Sequence, residues 1–117
     1  MQIRNYELLE RQADLCQMMA NPKRLAILEA LDREEVCVSE LAELIDTSIS
    51  ATSQHLRVMK DQKIVTTRKD GQTVYYRLKN PKIVEGCKLI RQVLLEELES
   101  QGRLAQDFEK ENGKDRG

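Results

Sequence analysis

The stretch Asp46–Lys60 reads DTSISATSQHLRVMK and predicts a helix whose two faces carry different chemistry. Thr52, Leu56 and Met59 follow the spacing that lines one side of an α-helix, so we expect them to face a core. The opposite side is mostly small and polar, with groups that can hydrogen-bond base edges and phosphates in a DNA major groove. These outward residues are Ile49, Ser50, Ser53, Gln54 and Arg57. The pattern predicts a recognition helix.

Two helices are predicted near the start of the chain. The first spans residues 5–20 and carries a wide apolar stripe that one neighbouring helix would not cover. Asn21 is then a helix N-cap, and Pro22 occupies the first helical position, where its missing N–H costs nothing. The second helix follows over residues 23–32. The residues expected to line these helices' apolar sides are Leu8, Leu9, Ala13, Leu15, Cys16, Met19 and Ala20, then Leu25, Leu28 and Leu31.

A third, short helix precedes the recognition helix. Ser39 is its expected N-cap, and it covers residues 40–45 with Leu41, Ala42 and Ile45 buried. Only two or three residues connect it to Ser48, the expected N-cap of the next helix. Since this connector contains no Gly, Asp46 or Thr47 must adopt the turn conformation. Two short helices joined by a tight turn are typical of a helix-turn-helix.

A change of period from 3.6 to 2 after residue 63 predicts two strands, over residues 64–68 and 73–78. Asp70-Gly71 between them is a two-residue hairpin signal. Arg68 and Lys69 are expected at the tip of this hairpin. They are either ordinary loop charges or contacts to DNA phosphates, and a cationic hairpin behind a helix-turn-helix is typical of a DNA-binding wing.

Asn80 and Pro81 repeat the earlier start signal and open the longest predicted helix, Lys82 to about residue 105. Its apolar surplus, with that of the first helix, predicts a dimer formed through the first and last helices. The fold is therefore expected to be mainly α with a small β-hairpin, a winged helix-turn-helix ordered as four helices, two strands and a last helix. We expect one domain over residues 1–106 and a disordered polar tail over 107–117.

The charge of the chain is unevenly distributed. Although the 117 residues carry a net charge of −1, residues 48–79 hold seven Lys or Arg against two acids, a local charge of +5. A cationic middle in an acidic chain favours one DNA-facing surface, with Lys60 and Arg77 as weaker candidate contacts. No apolar signal segment or membrane-length apolar run is present, so we expect a cytoplasmic protein.

Four segments resemble the arsenic/metal-responsive repressor family, ArsR/SmtB, over about residues 8–100. They are Ala20-Asn21-Pro22-Lys23-Arg24-Leu25-Ala26-Ile27-Leu28, Ser39-Glu40-Leu41-Ala42, Ser53-Gln54-His55-Leu56 and Asp70-Gly71-Gln72-Thr73-Val74-Tyr75-Tyr76-Arg77-Leu78. The resemblance implies a homodimeric winged helix-turn-helix repressor that leaves its operator when a metal ion or a thiol-reactive species binds. An operator read by two such helices is expected to be an imperfect palindrome.

The family's metal sites do not carry over to this chain. Members that sense arsenite or cadmium near the third helix have Cys-Val-Cys, where this chain has Cys37-Val38-Ser39. Members that sense zinc on the last helix use His and carboxylates there, and the only His of this chain is His55, in the recognition helix. No metal site is therefore assigned. A soft metal, a metalloid or a reactive sulfur or oxygen species acting on cysteines stays the expected inducer.

The three cysteines and His55 each have two interpretations. Cys16 and Cys87 are either small buried hydrophobic residues or a thiol switch at the dimer interface, and Cys37 is either core or one ligand of an incomplete site. His55 either touches a phosphate or forms hydrogen bonds near the turn.

An enzyme is disfavoured because the chain has no glycine-rich phosphate loop and no nucleophile with a His placed to serve it. The alternatives to a ligand-released repressor are a winged-helix protein-interaction module and a DNA-binding regulator that senses no ligand. The interaction module would need several large apolar residues on the outer face of residues 49–57, where only Ile49 qualifies.

Overall fold

The computed structural model of the protein describes residues 5–102. Helices dominate, and three short strands form one antiparallel sheet, so the predicted mainly α winged helix-turn-helix is confirmed with one strand more than the expected hairpin. The elements are α1 (Tyr6–Met19), α2 (Pro22–Ala30), β1 (Val36–Cys37), α3 (Val38–Leu44), α4 (Ile49–Asp61), β2 (Val65–Asp70), β3 (Thr73–Leu78) and α5 (Lys82–Gln101).

The chain divides into two compact units, one ending at Pro81 and the other beginning at Lys82. The first contains α1 to α4 and the sheet, and the second contains α5. The expected single domain over 1–106 stays a prediction, and both the tail over 107–117 and the predicted end of the last helix lie outside the described residues. None of the helices within residues 5–102 has the length and apolar character needed to cross a membrane.

The core of the first unit lies where α2, α3 and α4 meet the sheet. Leu56 and Met59 of α4 are fully buried, and so is Thr52, as predicted. Its hydroxyl donates to the backbone oxygen of Ser48 over 2.8 Å, which satisfies the polar atom inside the core. The other buried apolar residues of this unit are Met18, Ile27, Leu28, Leu31, Val36, Leu41, Ala42, Ile45, Val65 and Leu78.

The prediction for the buried side of α2 is partly wrong. Leu28 and Leu31 are buried as expected, but Leu25 is 37% exposed and Ile27 takes the place predicted for it. Leu25, Leu28 and Leu31 are spaced three residues apart, and three residues fall about 60° short of a full helical turn. Leu25 therefore lies at the edge of the buried side of α2. Ile27, Leu28 and Leu31 fit one narrow side of the helix.

Side-chain caps fix the start of α2 and of α4. The Asn21 side chain accepts from two backbone N–H groups of α2, and Ser48 accepts from the Ala51 N–H over 3.0 Å, both as predicted. The predicted cap of α3 is wrong. β1 pairs with β3 up to Cys37, and α3 begins at the next residue, so Cys37 occupies the N-cap position. Ser39 lies within α3, and its hydroxyl is 3.4 Å from the Cys37 sulfur.

The turn between α3 and α4 requires a left-handed residue, and Asp46 supplies it with φ 53°. The Thr47 N–H donates to the Ala42 oxygen over 3.0 Å and the Asp46 N–H to the Glu43 oxygen over 3.2 Å. These two bonds make a Schellman motif, the usual way of ending a helix at a Gly. The prediction that a non-glycine residue takes this conformation is confirmed.

The strand order is β1-β3-β2, with both pairs antiparallel. Asp70 pairs with Thr73, so the two loop residues are Gly71 and Gln72, one position later than predicted. Gly71 has φ 63°, which a glycine adopts without strain. Val65, Leu78 and Val36 cover the core on one side of the sheet, and the other side faces solvent.

α1 and α5 each leave apolar side chains exposed. In α1 only Met18 is buried, and the expected stripe residues Leu9, Ala13 and Cys16 are exposed, while Leu15 and Met19 are half-buried. Val84 is the buried residue of α5. The large exposed apolar residues of the two helices are Tyr6, Leu8 and Leu9 in α1, and Leu89, Ile90, Val93, Leu94 and Leu95 in α5.

Candidate nucleic-acid interface

The outer face of α4 is the most distinctive polar surface of the first unit. Ser50, Ser53, Gln54 and Arg57 are exposed and together line a shallow groove, and Ile49 lies exposed at its start. Two hydroxyls, an amide and a guanidinium offer donors and acceptors for base edges and a cation for phosphate. The sequence-predicted residues of the recognition helix thus lie side by side on one surface.

Lys23 holds the turn that presents this helix. Its ammonium nitrogen donates to the backbone oxygens of Ile45 over 2.6 Å and of Asp46 over 3.1 Å. Both oxygens lie at the C-terminal end of α3, where carbonyls lack intrahelical partners and a cation is favoured. Sequence analysis missed this residue, because its partners are more than twenty positions away and no local pattern signals them.

His55 faces α2 and does not lie in the polar groove of α4. It is half-buried, and its Nδ1 accepts a hydrogen bond from Arg24 Nε over 3.1 Å. Burial, and then the positive charges of Arg24 and Lys23, lower the pKa of His55 below its ordinary value of 6.5. His55 therefore forms a hydrogen bond, but its partner is Arg24 of α2 and not a residue of the turn. Its contact with DNA stays a prediction.

The wing differs from the prediction in the place of its cations. Arg68 and Lys69 lie within β2 and not in the loop, because Asp70 still pairs with Thr73. The Arg68 Nε lies 3.0 Å from the Glu35 carboxylate, and its guanidinium lies 4.9 Å from the ring centre of Tyr75. Glu35 precedes β1, and the sheet brings it and Arg68 to the same solvent-facing side.

Arg68 is therefore the one cation of residues 48–79 that has an acidic partner in the described part of the chain. Its second carboxylate neighbour is Asp70, at 3.9 Å. The hydrogen bond to Glu35, followed by the negative charge of that carboxylate, raises the pKa of Arg68. The cations of this segment that form no ion pair with any residue from 5 to 102 are Arg57, Lys60, Lys63, Lys69, Arg77 and Lys79.

A second groove borders the start of α4 and has the opposite charge. Carboxylates of Glu40, Glu43 and Asp46 line it, together with Ser48 and Ile49. Like charges would repel DNA phosphates from this side. Contacts between cationic side chains and DNA phosphates are therefore expected at the C-terminal half of α4 and on the wing.

None of the three cysteines forms a disulfide within residues 5–102, and their surroundings differ. Cys16 is exposed on α1, whereas Cys37 and Cys87 are half-buried. The Ser39 hydroxyl, followed by the Glu40 backbone N–H, lowers the pKa of Cys37 from its ordinary value of 9.0. Over residues 5–102, no three His, Cys, Asp or Glu side chains are grouped so that they could hold a metal ion.

Comparison with known proteins places this geometry in a family. Residues 21–67 match the sequence model described as bacterial regulatory protein, arsR family. The solved structure of NolR from Sinorhizobium fredii is 36% identical, has a TM-score of 0.70, and is matched over 80% of this chain and 93% of that one. A winged helix-turn-helix DNA-binding domain from Mycobacterium bovis, Mb0332, described as homodimeric, is 28% identical with a TM-score of 0.73, over 86% and 93% of the two chains.

A relative known by sequence is the nodulation protein NolR of Rhizobium meliloti, 48% identical over 71 residues. That match covers 61% of this chain and 58% of the relative. The chain thus spans less than two thirds of the length of this curated relative. The matching family model describes regulatory proteins, in agreement with the expectation that the chain is not an enzyme.

Proposed function

Because this chain belongs to the ArsR family of bacterial regulatory proteins, we propose that it binds double-stranded DNA as a homodimer and represses transcription until an inducer releases it. The observation that carries this proposal is the outer face of α4, where Ser50, Ser53, Gln54 and Arg57 form one exposed polar surface. A helix of this chemistry fits the major groove, which offers base-edge donors and acceptors within reach of such side chains.

The unpaired cations support DNA as the partner. Arg57 and Lys60 lie on α4 and Lys69 lies on the wing, and none of them is neutralised by a carboxylate within the described residues. Cations without internal partners can displace counterions from DNA, which is the main source of affinity for the backbone. The net charge of −1 does not oppose this, since all but two of the 20 acids lie outside residues 48–79.

The dimer accounts for the exposed apolar residues of α1 and α5. Apolar side chains such as Leu8 and Leu94, each 57% exposed, are costly to leave in water and are typical of surfaces that a partner covers. A twofold dimer buries the same surface on both subunits and presents two recognition helices. Their half-sites would lie about 34–36 Å apart on one side of the DNA, which fits an imperfect palindrome.

The inducer proposal rests on the cysteines. The lowered pKa of Cys37 favours its thiolate, which is the form that reacts with soft metals, metalloids and reactive sulfur or oxygen species. Cys37 lies directly before α3, the first helix of the helix-turn-helix, so a group added there would disturb the helix that supports α4. Cys16 and Cys87 stay candidates for the same role.

A gel-shift assay tests DNA binding directly. The protein is titrated against DNA from upstream of its own gene and against unrelated DNA of equal length, and we expect a shift at lower protein concentration with the first. Arg57→Ala should weaken binding and reduce the salt slope by about 1 for each subunit, as expected for one lost phosphate contact. The matched control is Arg11→Ala, which removes an equally charged, 76% exposed side chain from α1.

Equal shifts on both DNA fragments, or equal effects of the two substitutions, would contradict sequence-specific binding by α4. Absence of any shift would favour the protein-interaction module instead. The inducer is tested in the same assay with and without reductant and thiol-reactive compounds. We expect thiol-reactive compounds to release the wild type from DNA, whereas Cys37→Ser should stay bound. Release of both proteins would indicate that another cysteine is the sensor.

A further inference from the structure

The Arg24 side chain joins two helices of the first unit. Its Nη1 donates to the backbone oxygen of Met18, in the last turn of α1, over 3.1 Å. Its Nε donates to Nδ1 of His55, in α4, over 3.1 Å. One guanidinium therefore links the helix proposed for the dimer surface to the helix proposed to enter the DNA groove.

The bond to His55 depends on the charge of the imidazole. Nδ1 can accept from Arg24 only while it carries no proton, so the ring is neutral and its proton lies on Nε2. The charged groups that act on the ring are Arg24 and Lys23, both from α2, and both are positive. From α1, the group at this cluster is the uncharged carbonyl of Met18.

Protonation of His55 at Nδ1 would break this hydrogen bond. The imidazolium and the Arg24 guanidinium would then face each other as two cations 3.1 Å apart. Nearby Lys23 adds to the repulsion, and its ammonium is already held by the oxygens of Ile45 and Asp46. The imidazole can escape only by rotating away or by moving with its helix. The hydrogen bond between Arg24 and Nδ1 of His55 therefore requires the neutral imidazole.

We propose that Arg24 and His55 are positioning residues for DNA binding, which tie the recognition helix to α2 and, through Arg24, to α1 while His55 is neutral, and release it when His55 is protonated. The inference rests on the proposed DNA-binding function and adds to it a residue pair and a direction of pH dependence. Neither side chain needs to touch DNA for this role.

The direction of the effect separates this role from a direct contact. If His55 touched a phosphate, its protonation would add a cation at the interface, and acid would strengthen DNA binding. A positioning role predicts the opposite, because acid breaks the bond between Arg24 and His55. A purely structural role would change stability and leave the pH dependence of DNA affinity unchanged.

The test compares the wild type with His55→Asn by fluorescence anisotropy, using labelled DNA from upstream of its own gene. Asn places an acceptor oxygen near the position of Nδ1 and does not titrate. Affinity is measured from pH 8 to pH 5.5 at constant ionic strength, with circular dichroism at each pH to confirm folding. General effects of acid on the protein and the DNA are common to both proteins, so the difference between their profiles isolates His55.

Relative to His55→Asn, the wild type should lose affinity as pH falls through the pKa of His55 in the folded protein, which lies below 6.5, by up to about tenfold per pH unit for each His55. Arg24→Gln should bind more weakly at pH 8 and show less of this relative loss. Parallel profiles, or a relative gain of affinity by the wild type in acid, would overturn the positioning role. Absence of sequence-specific binding by the wild type at every pH would instead refute the proposed function.

Discussion

Neutralising Glu35 should strengthen DNA binding through Arg68, although Glu35 itself precedes β1 and is not part of α4. In the free protein the Arg68 Nε is 3.2 Å and 3.0 Å from the two oxygens of Glu35, and its guanidinium lies against Tyr75. A phosphate must compete with that carboxylate for the Nε donor and for the positive charge of Arg68. Glu35→Gln removes the competing charge and keeps the shape of the side chain.

The magnitude follows from counterion release. Each additional phosphate contact steepens the dependence of log affinity on log salt by about 0.9, so two freed Arg68 side chains in a dimer add about 1.8. Between 50 and 200 mM salt, this corresponds to an additional loss of affinity of about tenfold relative to the wild type. At low salt the variant should bind more tightly, since the new contacts are then least screened.

The assay is a salt series of anisotropy titrations with six proteins, the wild type and five variants. Glu34→Gln is the matched control, because it removes the same charge from the adjacent residue, whose carboxylate forms no ion pair within residues 5–102. Arg68→Ala alone should reduce the slope by less than Arg57→Ala does. Combining Arg68→Ala with Glu35→Gln should abolish the gain. Equal slopes for the Glu35 and Glu34 variants would refute the competition, and a loss of affinity in Glu35→Gln would show that Glu35 orients Arg68 towards DNA.

Three further predictions concern stability, and urea unfolding measures each of them. Asp46→Gly should be more stable than Asp46→Ala by about 1 kcal/mol, because φ is 53° there and alanine tolerates it poorly; equal stabilities would contradict the strain. Ser48→Ala should lower the free energy of unfolding by about 1 kcal/mol through loss of the helix cap, and Ser50→Ala, a control within the same helix, should not. Burial and two nearby cations lower the pKa of His55, so the unfolded chain binds its proton more readily. The stability of the wild type should therefore fall below pH 6.5 by more than that of His55→Asn, and equal losses would exclude the linkage.

Local sequence signals predicted the elements that local interactions form. Asn21 and Ser48 cap their helices with bonds to residues two or three positions on, and such bonds can be inferred from residue type and spacing alone. Thr52, Leu56 and Met59 are buried because one side of a regular helix must meet the core. The same periodicity located the polar outer face of α4.

Contacts between distant residues were not predictable in this way. The pairing of β1 with β3 brings Glu35 beside Arg68 across 33 positions of sequence, and nothing within the hairpin signals that partner. The hairpin alone suggested a free cation at its tip, whereas the structure places Arg68 in a strand with its charge engaged. A sequence pattern identifies which side chains can contact a ligand, but not which of them are already occupied.

Residues of the candidate interface with different proposed roles differ in whether their side chains already form bonds within the protein. Those proposed to contact DNA, such as Gln54 and Arg57, are exposed and form no side-chain bond with any other described residue. Those proposed to position the helix, Lys23 and Arg24, have their donors directed at backbone oxygens and at His55. A residue that contacts DNA must keep its donors free for the DNA. A positioning residue must use its donors within the protein. Substitutions of the first kind should therefore alter DNA affinity without altering stability, and substitutions of the second kind should alter both.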